Sequence, residues 1–396
     1  MCGNSTIQAL AEKYCLGNYG PRDVALVKGQ GSYVWDADGK RYLDCFGGIA
    51  VAATGHCHPK VVEAIQQQAE TLIHVSNLYL IEPQARLAEF LCKNTFAGKA
   101  FFANSGTEVA ETSLKLARKY ARKKGQTGRS CFITMQRSFH GRTYGATSAT
   151  GQDTYHKDYD PLLPGFAYVP LNDLEAVKQA VTDSTCAILV EPVQGEGGIH
   201  VAQTEFLKGL RGLCDDKEML LIYDEVQCGN GRTGKLYDYM HSGVVPDVLF
   251  TAKGLGSGVP IGAMLVSEKC SDVFEPGSHG TTFGGNPLAT AAALATMKVV
   301  EEENLCQRSA QLGQKAMEFL QKMKETRPGI VEVRGRGLMI GVELEQPAKP
   351  VVKEMMKRGI LIGSAGAQVL RLLPPLTIDE SDWLGALETL QEVLSQ

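Results

Sequence analysis

Seven short apolar runs separated by helix-length stretches most constrain the fold of this chain. They lie near Ala100–Ala103, Ser130–Thr134, Ala167–Val169, Ala187–Val190, Leu220–Asp224, Val248–Thr251 and Gly262–Val266. Runs of this length without polar alternation read as strands buried on both faces. Helical patterns such as Glu175–Ala180 and Glu205–Asp215 fill the gaps between them. Strands alternating with helices imply an α/β fold, with a mostly parallel sheet covered on both sides. Open sheets of this kind bind ligands beyond the carboxyl ends of their strands. The residues that close each run are therefore the first candidates for chemistry.

The pattern changes after Pro287. A long helix is expected to run to about Thr326. Val331–Gly335 and Leu338–Glu343 then read as a strand pair joined through Gly335-Arg336-Gly337. Further strands near Ile360 and Leu370, and a last helix from about Ser381, complete a smaller α+β unit. Near the start, Asp38-Gly39 is a turn signal inside a hairpin spanning Gly31–Leu43.

Composition excludes several classes. The 396 residues allow two or three domains and a large core. With 21% charged residues and a net charge of −4, the chain has no electrostatic footprint for nucleic acid. No apolar stretch reaches membrane-spanning length, and Met1–Cys15 lacks the charged-then-apolar order of a secretion signal. The eleven cysteines have no framework spacing and read as reduced thiols, so a cytoplasmic location is expected. His56-Cys57-His58 lacks a second ligand pair and reads as a turn into a helix from Pro59, so no metal site is expected.

Three strand ends carry distinctive residues. Lys253 follows Asp247–Ala252 and precedes the glycine turn Gly254–Gly258. A lysine there is either solvated or held in an apolar pocket as a nucleophile toward aldehydes. Asp224 closes Leu220–Tyr223, where it would hold either magnesium in a nucleotide hydrolase or a protonated ring nitrogen of a cofactor. Gly229–Lys235 imitates a phosphate loop but continues with Leu236 where Ser or Thr is needed. Asn104-Ser105-Gly106-Thr107-Glu108 follows Phe101–Ala103, and Ser105 with Glu108 has capping-box spacing. The first turn of that helix would offer free N–H groups to an anion.

These segments occur together with Ser138–Arg142, Val190–Glu196, Asp224–Gln227 and His279–Pro287. In this combination the chain resembles the class III, or omega-amino-acid, aminotransferases, which use pyridoxal 5′-phosphate. The resemblance extends from about Tyr19 to the segment holding Arg371. It implies a fold type I architecture in which the N-terminal segment, 1–55, joins 287–396 in a small domain around a large cofactor-binding domain, 56–286. It further implies that Lys253 links to the cofactor aldehyde and later moves a proton, and that Asp224 pairs with the pyridinium nitrogen. Gln227 is matched to the phenolic oxygen, Ser105, Gly106 and Thr107 to the phosphate, and Phe139 to the ring face with His140 nearby. Thr282 is matched to the phosphate of the partner subunit's cofactor and Thr281 to that subunit's substrate, so a homodimer with shared sites is expected. Val109-Ala110 departs from the usual Ala-Asn pair, past the first helical turn.

Substrate roles follow from the same resemblance. Arg142 and Arg371 match carboxylate-binding positions, a task suited to a planar guanidinium. Glu196 is expected to close Arg371 while the amino donor binds and to release it for 2-oxoglutarate. Tyr19 matches a tyrosine near the substrate. Related ornithine aminotransferases carry a tyrosine where this chain aligns Ile49. An apolar residue there leaves a free α-ammonium unpaired, which favours an N-acylated donor. The expected donor is N2-acetyl-L-ornithine. The alternatives are ornithine, succinylornithine or 4-aminobutyrate as donor, or a non-transaminating enzyme of the same fold.

Overall fold

The computed structural model describes residues 3–395 and is built around a seven-stranded sheet. Its strands are β1 (Lys99–Ala103), β2 (Cys131–Met135), β3 (Phe166–Val169), β4 (Thr185–Val190), β5 (Leu220–Asp224), β6 (Val248–Thr251) and β7 (Gly262–Val266). They lie in the order β1-β7-β6-β5-β4-β2-β3. The pairs from β6 through β3 are parallel, while β7 runs antiparallel to both β6 and β1. Every expected run is thus a strand, and the sheet is mostly parallel.

Burial on both faces explains why these runs lack polar alternation. Along β5, Leu220 and Ile222 join the cluster beneath α1 (Gly106–Lys123). Leu221 and Tyr223 join the opposite cluster with Phe206, Leu207 and Leu210 of the helix Thr204–Asp216. Each such aliphatic side chain contributes about 1.5–3 kcal/mol on burial, so both layers stabilise the strand ends that carry the site. Helix α1 begins as its cap spacing predicts, with Ser105 Oγ accepting from Glu108 N at 3.3 Å. The Glu108 carboxylate, however, accepts from Asn104 N at 2.6 Å, one residue before the cap.

The helix expected to run unbroken from Pro287 is two helices, α2 (Pro287–Glu302) and α3 (Leu305–Thr326). Asn304 lies between them at φ 51°, ψ 39°. Asparagine tolerates this left-handed conformation better than most residues, and the pattern of apolar residues does not report it. At the other end of the chain, Tyr33–Asp36 and Arg41–Asp44 form the expected hairpin. Its second strand pairs in parallel with Ile360–Leu361, which ties the N-terminal segment to the C-terminal unit.

The look-alike phosphate loop is a structural joint. The Arg232 carbonyl accepts from Leu338 N at 3.0 Å and from Ser309 Oγ at 2.7 Å. The buried Arg232 guanidinium donates to the carbonyls of Leu338 and Pro374, and burial lowers its pKa to about 9. Gly337, at φ +55°, approaches so closely that an added Cβ would lie 2.5 Å from the Thr233 carbonyl carbon. His56 Nε2 meets Asp44 at 2.8 Å and His58 Nε2 meets Glu303 at 3.3 Å, so the two histidines serve different contacts.

Candidate active site

A cavity of about 420 Å³ opens where β1, β5 and β6 end, lined among others by Ser105–Thr107, Phe139–Arg142, Glu191, Asp224, Val226, Gln227 and Lys253. Lys253 lies just past β6 at φ 45°, a conformation that strains a residue with a Cβ. Asn230 clamps that strand end, its Nδ2 donating to Thr251 Oγ1 at 2.8 Å and Ala252 O at 3.1 Å. Burial pushes the Lys253 amine below the ordinary lysine range. Arg371 adds to this, while the carboxylates of Glu196, Asp224 and Glu191 oppose it. A lowered pKa raises the share of free amine available as nucleophile or base.

Asp224 is buried at the end of β5. Its Oδ2 meets His140 Nδ1 at 2.7 Å, and its Oδ1 accepts from Val226 N at 3.0 Å. His140 is itself buried, and its Nε2 has no hydrogen-bond partner among the described residues. It stands behind Asp224 and orients that carboxylate. Glu191 accepts from Phe139 N at 3.0 Å and Gly195 N at 3.1 Å, joining two loops of the cavity wall. Burial and the neighbouring Asp224 charge raise its pKa well above the carboxylate range.

The two arginines are held differently. Arg371 is buried and forks onto Glu196, with Nη1–Oε1 at 2.6 Å and Nη2–Oε2 at 3.2 Å, and Nη1 also donates to Gln227 Oε1 at 3.2 Å. Burial raises the pKa of Glu196, but Arg371 and, less strongly, Lys253 and Gln227 outweigh it, and the net shift is downward. Arg142 is exposed, with its Cζ 4.2 Å from the Tyr155 ring centroid and 5.6 Å from that of Phe139. Among the described residues it forms no ion pair, so it is open to a carboxylate.

The site suits a flat, phosphate-bearing cofactor on three observations. The start of α1 presents N–H groups toward the cavity. A Cβ on Gly106 would lie 3.0 Å from Val226, so glycine permits the close fit there. A buried carboxylate, Asp224, reaches the cavity with a histidine fixed behind it. Apolar side chains of Phe139 and Val226 line the same space. Pyridoxal phosphate meets all three requirements.

Comparison with known proteins agrees. The pattern of the family described as aminotransferase class-III matches residues 17–394. The chain belongs to the class-III aminotransferases. It is 50% identical over 386 residues to the acetylornithine aminotransferase of Caldanaerobacter subterraneus subsp. tengcongensis, covering 97% of this chain and 98% of that one. It is also 50% identical over 388 residues to the acetylornithine aminotransferase of Methanocaldococcus jannaschii, covering 98% and 97%. Its fold is similar to that of the ornithine aminotransferase of Toxoplasma gondii, whose structure has PLP at partial occupancy in its active site. The TM-score is 0.95 at 34% identity, covering 98% of this chain and 94% of that one.

Within this class-III chain, Tyr19 lies apart from the other site residues, 79% exposed and outside the cavity lining. Thr282 is exposed, and Thr281 Oγ1 accepts from Asn104 Nδ2 at 3.3 Å beside the start of α1. Ile49, at φ 64°, packs against the buried cluster of Val193, Ile199, Met339 and Leu373, while Val51 lines the cavity two residues on. Sequence reasoning missed Tyr155, which no motif marks. It also missed Glu111, which helical spacing from Thr107 places on the same face of α1 and which could have been found that way.

Proposed function

We propose that this class-III aminotransferase moves the terminal amino group of N2-acetyl-L-ornithine to 2-oxoglutarate, giving N-acetyl-L-glutamate 5-semialdehyde and L-glutamate in arginine biosynthesis. The observation that carries the reading is the pairing of one open and one closed guanidinium around Lys253. A donor with a single carboxylate needs one grip, and a 2-oxo diacid needs two. The names of the relatives at 50% identity agree with this donor.

Pyridoxal phosphate supplies an aldehyde that takes up the amino group and a ring that draws electrons from the substrate carbon. The chain's own residues do the rest. Ser105, Gly106 and Thr107 would cradle the phosphate, Asp224 would keep a ring N–H⁺ in place, and Gln227 would donate toward the phenolic oxygen. Phe139 would cover one ring face, and His140 would act through Asp224. The Lys253 amine would hold the cofactor through its aldehyde, and once free it would serve as the base that moves the proton at the reacting carbon. Arg142 holds the donor carboxylate, and Glu196 keeps Arg371 closed until the diacid arrives.

The functional division we propose is a large domain over 56–286, with 1–55 and 287–396 forming the small one. The working unit is a homodimer in the cytoplasm. Leu78, Tyr79, Leu80 and Phe283 leave much apolar surface exposed beside Thr282, and Asn77 Nδ2 ties the two segments together through Gly284 O at 2.9 Å. A second copy covering this patch shields it and brings Thr281, Thr282 and Tyr19 to a shared site.

The test is kcat/KM for N2-acetylornithine, N2-succinylornithine, ornithine and 4-aminobutyrate with 2-oxoglutarate. N2-acetylornithine is expected to be the best of the four. Preference for ornithine or 4-aminobutyrate overturns the donor and leaves the fold and family intact.

A further inference from the structure

The hydroxyl of Thr107 has no proton left for a phosphate. A threonine hydroxyl offers one proton and two lone pairs. Thr107 Oγ1 accepts from Arg142 N at 3.1 Å and from Thr143 N at 3.1 Å, which uses both lone pairs. Its remaining contact is Thr143 Oγ1 at 2.9 Å. The direction of that bond is set by the next link. Thr143 Oγ1 lies 2.6 Å from Glu111 Oε1, an oxygen that also accepts from Gly145 N at 2.8 Å and Ala146 N at 3.1 Å. An oxygen collecting N–H donors is an acceptor, so Thr143 gives its proton to Glu111. Thr107 must then give its own proton to Thr143. The chain of bonds is closed and saturated.

This network fixes the backbone of Arg142. Its own N–H and that of Thr143 end on Thr107, and Glu111 holds the first turn of the helix Tyr144–Ala149 that follows. Gly141, at φ +134°, lies so close that an added Cβ would be 2.3 Å from Thr107 Oγ1, so the segment is pressed onto this hydroxyl. The guanidinium at its end rests on Tyr155 and, among the described residues, has no carboxylate partner that would locate it in another way.

We infer that Thr107, Thr143 and Glu111 form a positioning strut that aims Arg142 at the substrate carboxylate, and that Thr107 meets the cofactor phosphate through its backbone N–H alone. Serine at position 107 keeps the same three bonds. Valine keeps the shape, removes all three, and leaves two N–H groups without an acceptor. The inference rests on Arg142 being the carboxylate grip of the proposed function.

The test compares Thr107→Val, Thr107→Ser and Thr143→Val with the unaltered enzyme. Two quantities are read: the dissociation constant of pyridoxal phosphate from titration of the resolved apoenzyme, and KM against kcat for the amino donor. Thr107→Val and Thr143→Val are expected to raise donor KM on the order of ten-fold, the usual effect of unpaired N–H groups, with cofactor affinity held within about two-fold. Thr107→Ser, which keeps the three bonds, is expected to match the unaltered enzyme in both donor KM and cofactor affinity. Loss of cofactor affinity by Thr107→Val with donor KM unchanged overturns the inference and makes the hydroxyl a phosphate ligand. An unchanged donor KM in Thr143→Val, which lies off the phosphate cradle, also overturns it. Because KM is measured with whichever donor the panel ranks first, failure of the acetylornithine assignment is read from the panel and failure of the strut from these ratios.

Discussion

Arg142 and Arg371 carry the same guanidinium into one cavity, but the fold treats them in opposite ways. Arg371 sits on an inner strand of the C-terminal sheet, buried, with Glu196 and Gln227 occupying its fork. Arg142 is exposed on a loop, stacked on Tyr155, with no ion-pair partner among the described residues. A buried ion pair is costly to form and more costly to break by removing one member. An exposed cation on an aromatic face keeps its charge available at little cost. In the proposed function one arginine would therefore be a standing grip, and the other would be opened only by a ligand that replaces Glu196. This difference would allow a single site to accept a donor with one carboxylate and an acceptor with two.

The largest effect is expected from Arg371→Ala. The change removes the second grip and leaves the half-buried Glu196 without its partner, a loss of up to about 3–5 kcal/mol. The half-reaction with 2-oxoglutarate is expected to slow by roughly a thousand-fold in kcat/KM, while the donor half-reaction is affected less. Single-turnover kinetics of the two half-reactions separates them. Equal losses in both would erase the distinction between the arginines.

Arg142→Ala is expected to act on both half-reactions, because each substrate presents a carboxylate to the standing grip. Charge-assisted bonds at an exposed position imply about 1.5–3 kcal/mol, or roughly ten- to a hundred-fold in KM. Near-normal KM for the amino donor would show that another group holds its carboxylate.

The smallest effect is a stability difference between the enzyme and Glu196→Gln across pH. Arg371 helps hold the folded-state pKa of Glu196 below its ordinary value of 4.5. A depressed carboxylate pKa adds stability that is fully present above the unfolded value and is lost as pH falls through the folded one. The two proteins are thus expected to differ most near neutral pH and to converge in acid, as seen in denaturation midpoints. A difference that persists unchanged into acid would show that the pair is not closed by charge.

Much of the site was legible because its chemistry sits at strand ends. Lys253 and Asp224 follow apolar runs that could only be buried, and the residues after such runs face the open end of the sheet. The cap spacing of Ser105 marked the start of α1 for a local reason, since N-terminal N–H groups need acceptors. The break at Asn304 was not legible, because apolar periodicity continues across it and one left-handed residue leaves no trace in that period. Glu111 lies outside every motif, and only the helical spacing from Thr107 hints at it.

By itself the sequence determined the sheet, the position of each reactive residue at its edge and the family to which the chain belongs. These depend on local propensity and on the burial pattern of short runs. The tertiary structure alone decided that Glu196 closes Arg371, from residues 175 positions apart, that His140 stands behind Asp224, and that Tyr155 lies beneath Arg142. It also decided that Gly229–Lys235 is a joint to the C-terminal unit. Such contacts depend on how separate elements pack, and a linear pattern does not encode the distance between residues that meet only when the chain has folded.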